Sequence, residues 1–144
     1  MRVMAIDYGD VRTGLAVSDA AGTLTGDAFV IRETAPQKLA AAIVREAEAR
    51  GVEGLVLGWP RNMDGSLGPR AAKADALAVR LRRLTDIPLA LWDERRTTVE
   101  AQRILHTVGR HGAKNKGAVD AVAAALILEG YLAARGRQDK MNNE

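Results

Sequence analysis

Four acidic residues stand where apolar segments of the sequence begin or end. The first of these segments, RVMAIDY, is apolar up to Asp7, and the segment IPLALW is followed at once by Asp93 and Glu94. The fourth acid, Asp120, opens a long apolar helix. A carboxylate near a core is costly unless a cation or hydrogen-bond donors receive it. Because no cysteine or histidine belongs to these motifs, an all-oxygen site for Mg²⁺ or Mn²⁺ is the chemistry that they favour.

The direction of two of these acids can be predicted from backbone periodicity. Alternate residues of a strand share a face, so Asp7 continues an inward-facing row. Successive helical residues turn by about 100°, which places Asp120 in the same apolar stripe as Ala124 and Ile127. The helix dipole alone would also favour an aspartate near a helix start. That alternative explains the place of Asp120 along the helix but does not explain its face.

The adjacent acids Asp93 and Glu94 face opposite ways, so one of them can share the face of Asp7. The sequence does not decide which one, and a solvated charge cluster with the neighbouring arginines is an alternative. We expect Asp7, Asp120 and one of this pair, with Glu94 as first choice, to bind one or two divalent cations. Two such ions about 3.5–4 Å apart can activate a water and stabilise the leaving oxygen of a phosphodiester.

The charge of the chain is mildly basic. Twenty-one basic and 18 acidic residues give a net charge of +3, which fits a polyanion partner and an ordinary solvated surface equally well. With only 3% aromatic residues, binding of nucleic acid on stacked aromatic platforms is disfavoured. The basic residues beside the acidic motifs and in the Gly-rich loops are candidates for backbone phosphate contacts. They are Arg61, Arg95, Arg96, Lys114 and Lys116.

The elements that must position these residues follow a clear order. Three strand segments joined by short Gly-containing turns predict an antiparallel meander. Afterwards strands alternate with helices, and such strands lie parallel through right-handed crossovers. The sequence therefore predicts an α/β fold with a mixed five-stranded sheet, three antiparallel strands and then two parallel ones, flanked by helices. A capping box formed by Thr97 and Glu100 predicts a further helix in TTVEAQRIL.

The length of 144 residues suits one domain, which we expect to span residues 1–135. Residues 136–144 are polar and lack an apolar period, so they predict a disordered tail. The absence of cysteine excludes disulfides, zinc fingers and thiol catalysis. We see no signal peptide and no apolar run that could span a bilayer, and we expect a cytoplasmic protein.

Four segments together resemble a known family. AIDYGDVRTGLAVSD, LVLGWPRNMDGS, DERRTTVEAQRIL and NKGAVDAVAAALILEGYL are similar, in order and spacing, to the YqgF-type Holliday-junction-resolvase-like family, whose members are also described as pre-16S rRNA nucleases. The resemblance spans residues 1 to about 133. It implies a ribonuclease-H-like fold and a metal-dependent nuclease. It also implies that the catalytic acids are Asp7, Asp93, Glu94 and Asp120.

This chain departs from the family pattern in three places. Trp59 stands where leucine is common, and Arg96 stands where a small or apolar residue is commoner. Related resolvases also place an acid at the end of the fourth strand, which here reads LGWPRN and contains none. The fifth strand must therefore supply that acid from farther across the sheet.

The function predicted from these motifs is phosphodiester hydrolysis, most simply in 5′ processing of pre-16S rRNA. The main alternative is a nuclease for Holliday junctions or for branched or single-stranded DNA. An actin- or sugar-kinase-like ATPase is disfavoured because the chain cannot hold the second domain that such enzymes need. A non-catalytic nucleic-acid-binding module is disfavoured by the acids. The protein could be a monomer or a homodimer, and only the resolution of a symmetric junction would require a dimer.

Overall fold

The fold is built around a five-stranded sheet with the strand order β3-β2-β1-β4-β5. The computed structural model describes residues 1–60, 62, 64–96 and 116–142, with the backbone alone for 116–120. The strands are β1 (Val3–Asp7), β2 (Thr13–Ser18), β3 (Thr25–Ile31), β4 (Gly54–Trp59) and β5 (Leu89–Asp93). The β1–β2 and β2–β3 pairs are antiparallel, whereas the β1–β4 and β4–β5 pairs are parallel. The predicted mixed sheet is confirmed.

Three helices accompany the sheet in the described ranges. They are α1 (Pro36–Ala49), α2 (Pro69–Leu84) and α3 (Lys116–Asn142), and a short 3₁₀ turn (Glu94–Arg96) follows β5. Both α1 and α2 begin with a proline, whose fixed φ suits the first helical position. None of the helices described has the length and apolar character needed to cross a bilayer. The helix predicted in TTVEAQRIL lies outside the described residues.

The two faces of the sheet carry separate cores. Helices α1 and α2 cover the face to which Met4 and Ile6 of β1 point. Helix α3 covers the other face, where Val3 and Ala5 pack with the α3 residue Leu128. Since strand residues alternate between faces, the α3 face is the one that β1 presents at its last residue, Asp7.

Helix α3 continues further than the sequence predicted. Residues 136–142, which the composition predicted to be disordered, form its last turns, and their side chains are exposed. A hydrogen bond from Gln138 Nε2 to Asn142 Oδ1, at 3.4 Å, lies along this stretch. Once a packed face has nucleated a helix, each added residue gains a backbone hydrogen bond at little cost. An apolar period is therefore not needed for the helix to extend into solvent, and these residues have a helical backbone where the composition predicted disorder.

An aspartate organises the turn between β2 and β3. Asp19 Oδ1 accepts hydrogen bonds from the backbone N–H groups of Thr23, at 2.8 Å, and Leu24, at 3.2 Å. Asp19 Oδ2 accepts a third bond, at 2.8 Å, from the Thr23 hydroxyl. Gly22 supplies the positive φ of 73° that the turn requires. These bonds favour the charged carboxylate and lower the pKa of Asp19 below 3.8.

Candidate active site

The side chains of Asp7 and Glu94 meet in a hydrogen bond. Asp7 is the last residue of β1, and Glu94 directly follows the last residue of β5. Strand β4 lies between β1 and β5 in the sheet. The contact therefore joins two acids that are separated by one intervening strand, at the carboxyl ends of three parallel strands.

Gly58 of β4 provides the space for this contact. A Cβ atom built at Gly58 would lie 2.6 Å from Glu94 Oε1 and 2.7 Å from Ile127 Cδ1 of α3. Real Cβ atoms do not approach other heavy atoms so closely. The missing side chain in β4 thus allows Glu94 to lie across that strand and reach Asp7. This geometry shows how the fifth strand supplies an acid where the fourth has none.

The packing of Trp92 explains why Glu94, not Asp93, takes this position. Trp92 is buried against α3, where a Cβ atom added to Gly130 would lie 2.9 Å from Trp92 Cζ2. The residue two positions later shares the face of Trp92, and the residue between them faces away. Asp93 instead accepts hydrogen bonds from Arg95, the shortest being 2.6 Å from Nη2 to Oδ2. The sequence could not decide this point, because the face covered by α3 is set by tertiary packing.

The basic residues predicted to contact nucleic acid have mixed placements. Arg95 is engaged with Asp93, and the guanidinium of Arg96 lies 4.2 Å from the centre of the Trp92 ring in a cation–π contact. The Asp93–Arg95 pair matches the charge cluster that the sequence offered as an alternative, whereas the contact of Arg96 with Trp92 was not foreseen. Arg61 and Lys114 lie outside the described residues, and Lys116 is described only by its backbone at the start of α3.

The fourth predicted acid, Asp120, lies on α3, four residues before the buried Ala124. Its backbone is helical as predicted, and its side chain lies outside the described residues. The pattern that motivated its assignment does hold further along the helix, where Ala124 and Ile127 are buried and Glu129 is exposed. A role for Asp120 as a ligand stays a prediction.

The environment of Glu94 favours a proton or a cation at this site. Burial raises the pKa of Glu94 above its usual value, and the charge of Arg70 and the hydrogen bond with Asp7 partly offset that increase. The nearby charge of Asp93 raises the same pKa further. A hydrogen bond between two carboxyl groups needs a proton on one of them, and two ionised carboxylates repel each other unless a cation offsets their charge.

The oxygen donors of Asp7 and Glu94 fit a hard divalent cation. Mg²⁺ is commonly held by one or two carboxylates together with waters and substrate phosphates, and these two half-buried acids supply that set. Within the described side chains, which do not include that of Asp120, no group of three acids or histidines comes together. The described pair therefore fits a cation that is completed by water and substrate.

A cavity of about 200 Å³ opens beside Glu94. It lies between the β1–β2 turn, the end of β4 and the first turns of α2, and Arg70 and Lys73 of α2 line it. Sequence reasoning missed these two residues because they read as ordinary solvated charges on a helix. The available signal was their position at the start of the helix that follows the Gly-rich loop after β4.

The sheet order and this carboxylate pair define a ribonuclease-H-like α/β fold of the nuclease class, and solved structures share the fold. The RuvC protein of T. thermophilus in complex with a Holliday junction substrate superposes with a TM-score of 0.63 at 15% identity, covering 94% of this chain and 96% of that one. A Fowlpox virus resolvase in complex with Holliday junction DNA gives a TM-score of 0.56 at 13% identity, covering 94% and 99%.

The chain belongs to the family described as RuvX, Holliday junction resolvase, whose profile matches residues 1–134. A protein of Halothermothrix orenii, provisionally named a pre-16S rRNA nuclease, is 45% identical over 133 residues, covering 92% of this chain and 94% of its own. A protein of Paracoccus denitrificans with the same name is 42% identical over 130 residues, covering 90% and 82%. The chain is accordingly a nuclease, as its motifs predicted.

Proposed function

We propose that this protein is a divalent-metal-dependent nuclease that acts in the 5′ processing of precursor 16S rRNA in the cytoplasm. The observation that carries the proposal is the contact between Asp7 and Glu94 across Gly58, which concentrates two carboxylates at one edge of the sheet. The substrate is proposed from the names of relatives such as the Halothermothrix orenii protein.

Asp7 and Glu94 would hold the cation, Mg²⁺ or Mn²⁺, with Asp120 as the proposed third ligand. When bound, the cation lowers the pKa of a water and stabilises charge on the phosphodiester. The chain's own residues do the rest. Partial burial among β1, β4 and α3 fixes the direction of both carboxylates, and the Asp93–Arg95 pair holds the turn that carries Glu94. Preorganised charge of this kind is what accelerates phosphodiester hydrolysis.

A second candidate function is cleavage of Holliday junctions or of other branched or single-stranded DNA. The description of the family and the likeness to resolvase folds favour it. Symmetric cleavage of a Holliday junction requires two active sites and therefore a homodimer, whereas cleavage of a single strand or trimming of RNA does not. Light scattering of the purified protein with and without a synthetic four-way junction distinguishes these states.

The proposal is tested by neutralising each acid separately. We expect Asp7→Asn and Glu94→Gln each to lower the cleavage rate by about a hundredfold or more. Removing a metal ligand should cost at least as much activity as removing a residue that only orients a ligand. Asp93→Asn should cost much less, since Asp93 contacts Arg95. Asp86→Asn, on the exposed connection between α2 and β5, is the matched control.

The measurement is a cleavage panel of structured RNA, four-way DNA junctions and single strands, with Mg²⁺, Mn²⁺ or chelator. Preference for structured RNA supports rRNA processing, and preference for the junction supports the alternative. Full activity of Asp7→Asn, or cleavage that persists in chelator, would contradict the metal mechanism. If the wild-type protein binds these nucleic acids without cutting them, the protein is a binding module. ATP binding without nucleic-acid binding would point to an ATPase.

A further inference from the structure

We infer that the cavity beside Glu94 binds a backbone phosphate of the substrate strand next to the scissile bond, and that Arg70 is the residue that contacts it. The inference rests on the proposed nuclease function. It adds a substrate-binding subsite and a binding residue to the pair of acids. The observations behind it are the position of the cavity, the charges that line it and its size.

The position of the cavity ties it to the site of chemistry. Gly58 and Glu94, which form the contact across β4, are themselves part of its lining. A strand whose scissile phosphate lies at Asp7 and Glu94 would therefore place an adjacent nucleotide in or over this space. The opposite wall is the β1–β2 turn, where Tyr8 and Gly9 follow Asp7 directly.

Arg70 is the positive group of the cavity with donors available for a ligand. Arg70 lines the same cavity as the acids Asp10 and Glu94. In the described part of the chain, it forms no hydrogen bond or ion pair with either of them. A guanidinium presents a planar fork of donors that matches two phosphate oxygens.

Lys73 has a different role in the same wall. Its ammonium Nζ lies 2.9 Å from Asp10 Oδ1, in an exposed ion pair that joins α2 to the β1–β2 turn. This pair engages Lys73 with Asp10 and leaves Arg70 as the lining cation beside Glu94. The cavity lining thus contains the Asp10–Lys73 ion pair, whose charges offset each other, and Arg70 beside Glu94.

The cavity has the right size for this ligand. Its volume is about 200 Å³. This space holds a phosphate and part of its sugar, and it is too small for a drug-sized ligand, whose pockets begin at about 300 Å³. A single phosphodiester group of RNA or DNA is therefore the chemistry that we assign to it.

The test measures binding in the Asp7→Asn background, where cleavage does not interfere. Fluorescein-labelled single-stranded RNA and DNA of one sequence are titrated at several salt concentrations. We expect Arg70→Gln to weaken binding by roughly tenfold or more and to reduce the slope of log K against log salt by about 0.7 to 1. Arg83→Gln, which removes the same charge from an exposed part of α2, should leave both unchanged.

Several outcomes would overturn the subsite. These are unchanged affinity and salt slope in Arg70→Gln, an equal loss in Arg83→Gln, or binding of neither probe by the Asp7→Asn protein. Arg70→Lys keeps the positive charge but lacks the planar set of guanidinium donors. Compared with Arg70→Gln, we expect it to have the wild-type salt slope but to regain only part of the binding affinity. In the cleaving enzyme, Arg70→Gln should raise KM. A fall in kcat alone, with binding intact, would mean that Arg70 acts only through Glu94.

The two strands distinguish the source of the phosphate. If Arg70→Gln weakens the binding of RNA and DNA equally, the cavity binds the phosphodiester group that both share. If it weakens the binding of only one of them, the subsite is specific for that nucleic acid. The proposed function can fail separately. Failure of the wild-type protein to cleave, while Arg70 still governs binding, would remove the nuclease mechanism and keep the phosphate site.

Discussion

At the residue scale, Gly58 decides whether the two acids can meet. Glu94 Oε1 and Ile127 Cδ1 of α3 occupy the space into which a Cβ atom of Gly58 would project, and Glu94 in turn contacts Asp7. An amino acid with no chemistry of its own therefore sets the geometry of the carboxylates. Its role can be tested without changing any charge.

We expect Gly58→Ala to lower cleavage about as much as Glu94→Gln, because the added methyl would occupy the place of Glu94 Oε1. Overpacking against Ile127 should also cost about 1–3 kcal/mol of the free energy of unfolding. Urea denaturation and cleavage assays measure the two effects. The double variant Gly58→Ala with Ile127→Ala should regain part of the stability but none of the activity. Recovery of cleavage in that variant would contradict a direct block of Glu94.

Gly136→Ala is the matched glycine control. A Cβ atom at Gly136 meets nothing within 4 Å, so this change should leave cleavage unaltered. It should raise the free energy of unfolding by about 0.5–1 kcal/mol, because alanine loses less backbone entropy in a helix.

Sequence reasoning reached some of these residues and missed others for identifiable reasons. Strand alternation and apolar neighbours predicted that Asp7 has a partner, and the structure places Glu94 beside it, while its role as a ligand stays a prediction. Glu94 could not be separated from Asp93, since only the packing of Trp92 on α3 decides the face. Arg70 was missed because an exposed arginine near a helix start has no distinguishing local pattern. For both Glu94 and Arg70, the missing information was which distant segments of the chain lie next to each other in the fold.

At the element scale, the β2–β3 turn shows how a charged side chain specifies a connection. The carboxylate of Asp19 accepts hydrogen bonds from the backbone N–H groups of Thr23 and Leu24 in place of backbone carbonyl acceptors. The turn also lies beside the first strand, because Val3 N donates to Ser18 Oγ at 2.9 Å. The antiparallel meander of β1, β2 and β3 was predictable because these short turns carry glycine and aspartate signals.

The turn predicts a pH-dependent contribution to stability. Because the folded pKa of Asp19 is below 3.8, its contribution is fully present above that value and is lost as the pH falls through the folded pKa. We expect Asp19→Ala to be less stable than wild type at about pH 7, with the difference narrowing towards about pH 3. Urea denaturation at both pH values measures it. A pH-independent difference would contradict the role of the charge, and Asp86→Ala is the exposed control.

At the scale of the whole molecule, α3 is the element that completes one of the two cores. Its buried residues pack on the face that carries Asp7, and Tyr131 lies edge-on to Trp92 with 6.3 Å between ring centres. Beyond Arg135 the helix has only exposed side chains. We therefore propose that residues 1–135 are sufficient as the functional domain.

Truncation tests that proposal. A chain that ends after Arg135 should lose less than about 1 kcal/mol of the free energy of unfolding and keep its cleavage rate, because the described residues that it lacks, 136–142, are exposed. A chain that ends after Gly130 also loses Tyr131 and Leu132 from the α3 core, and it should unfold far more easily. Thermal unfolding and cleavage assays compare the two. Loss of activity in the longer truncated chain would assign a function to the last turns.

The contact at Gly58 also restricts how such a site could evolve. A carboxylate at position 58 and the carboxylate of Glu94 compete for the same space, so the chain can carry an acid on β4 or on β5 but not on both. Moving the acid from one strand to the other would need two substitutions, and we expect either one made alone to lower cleavage.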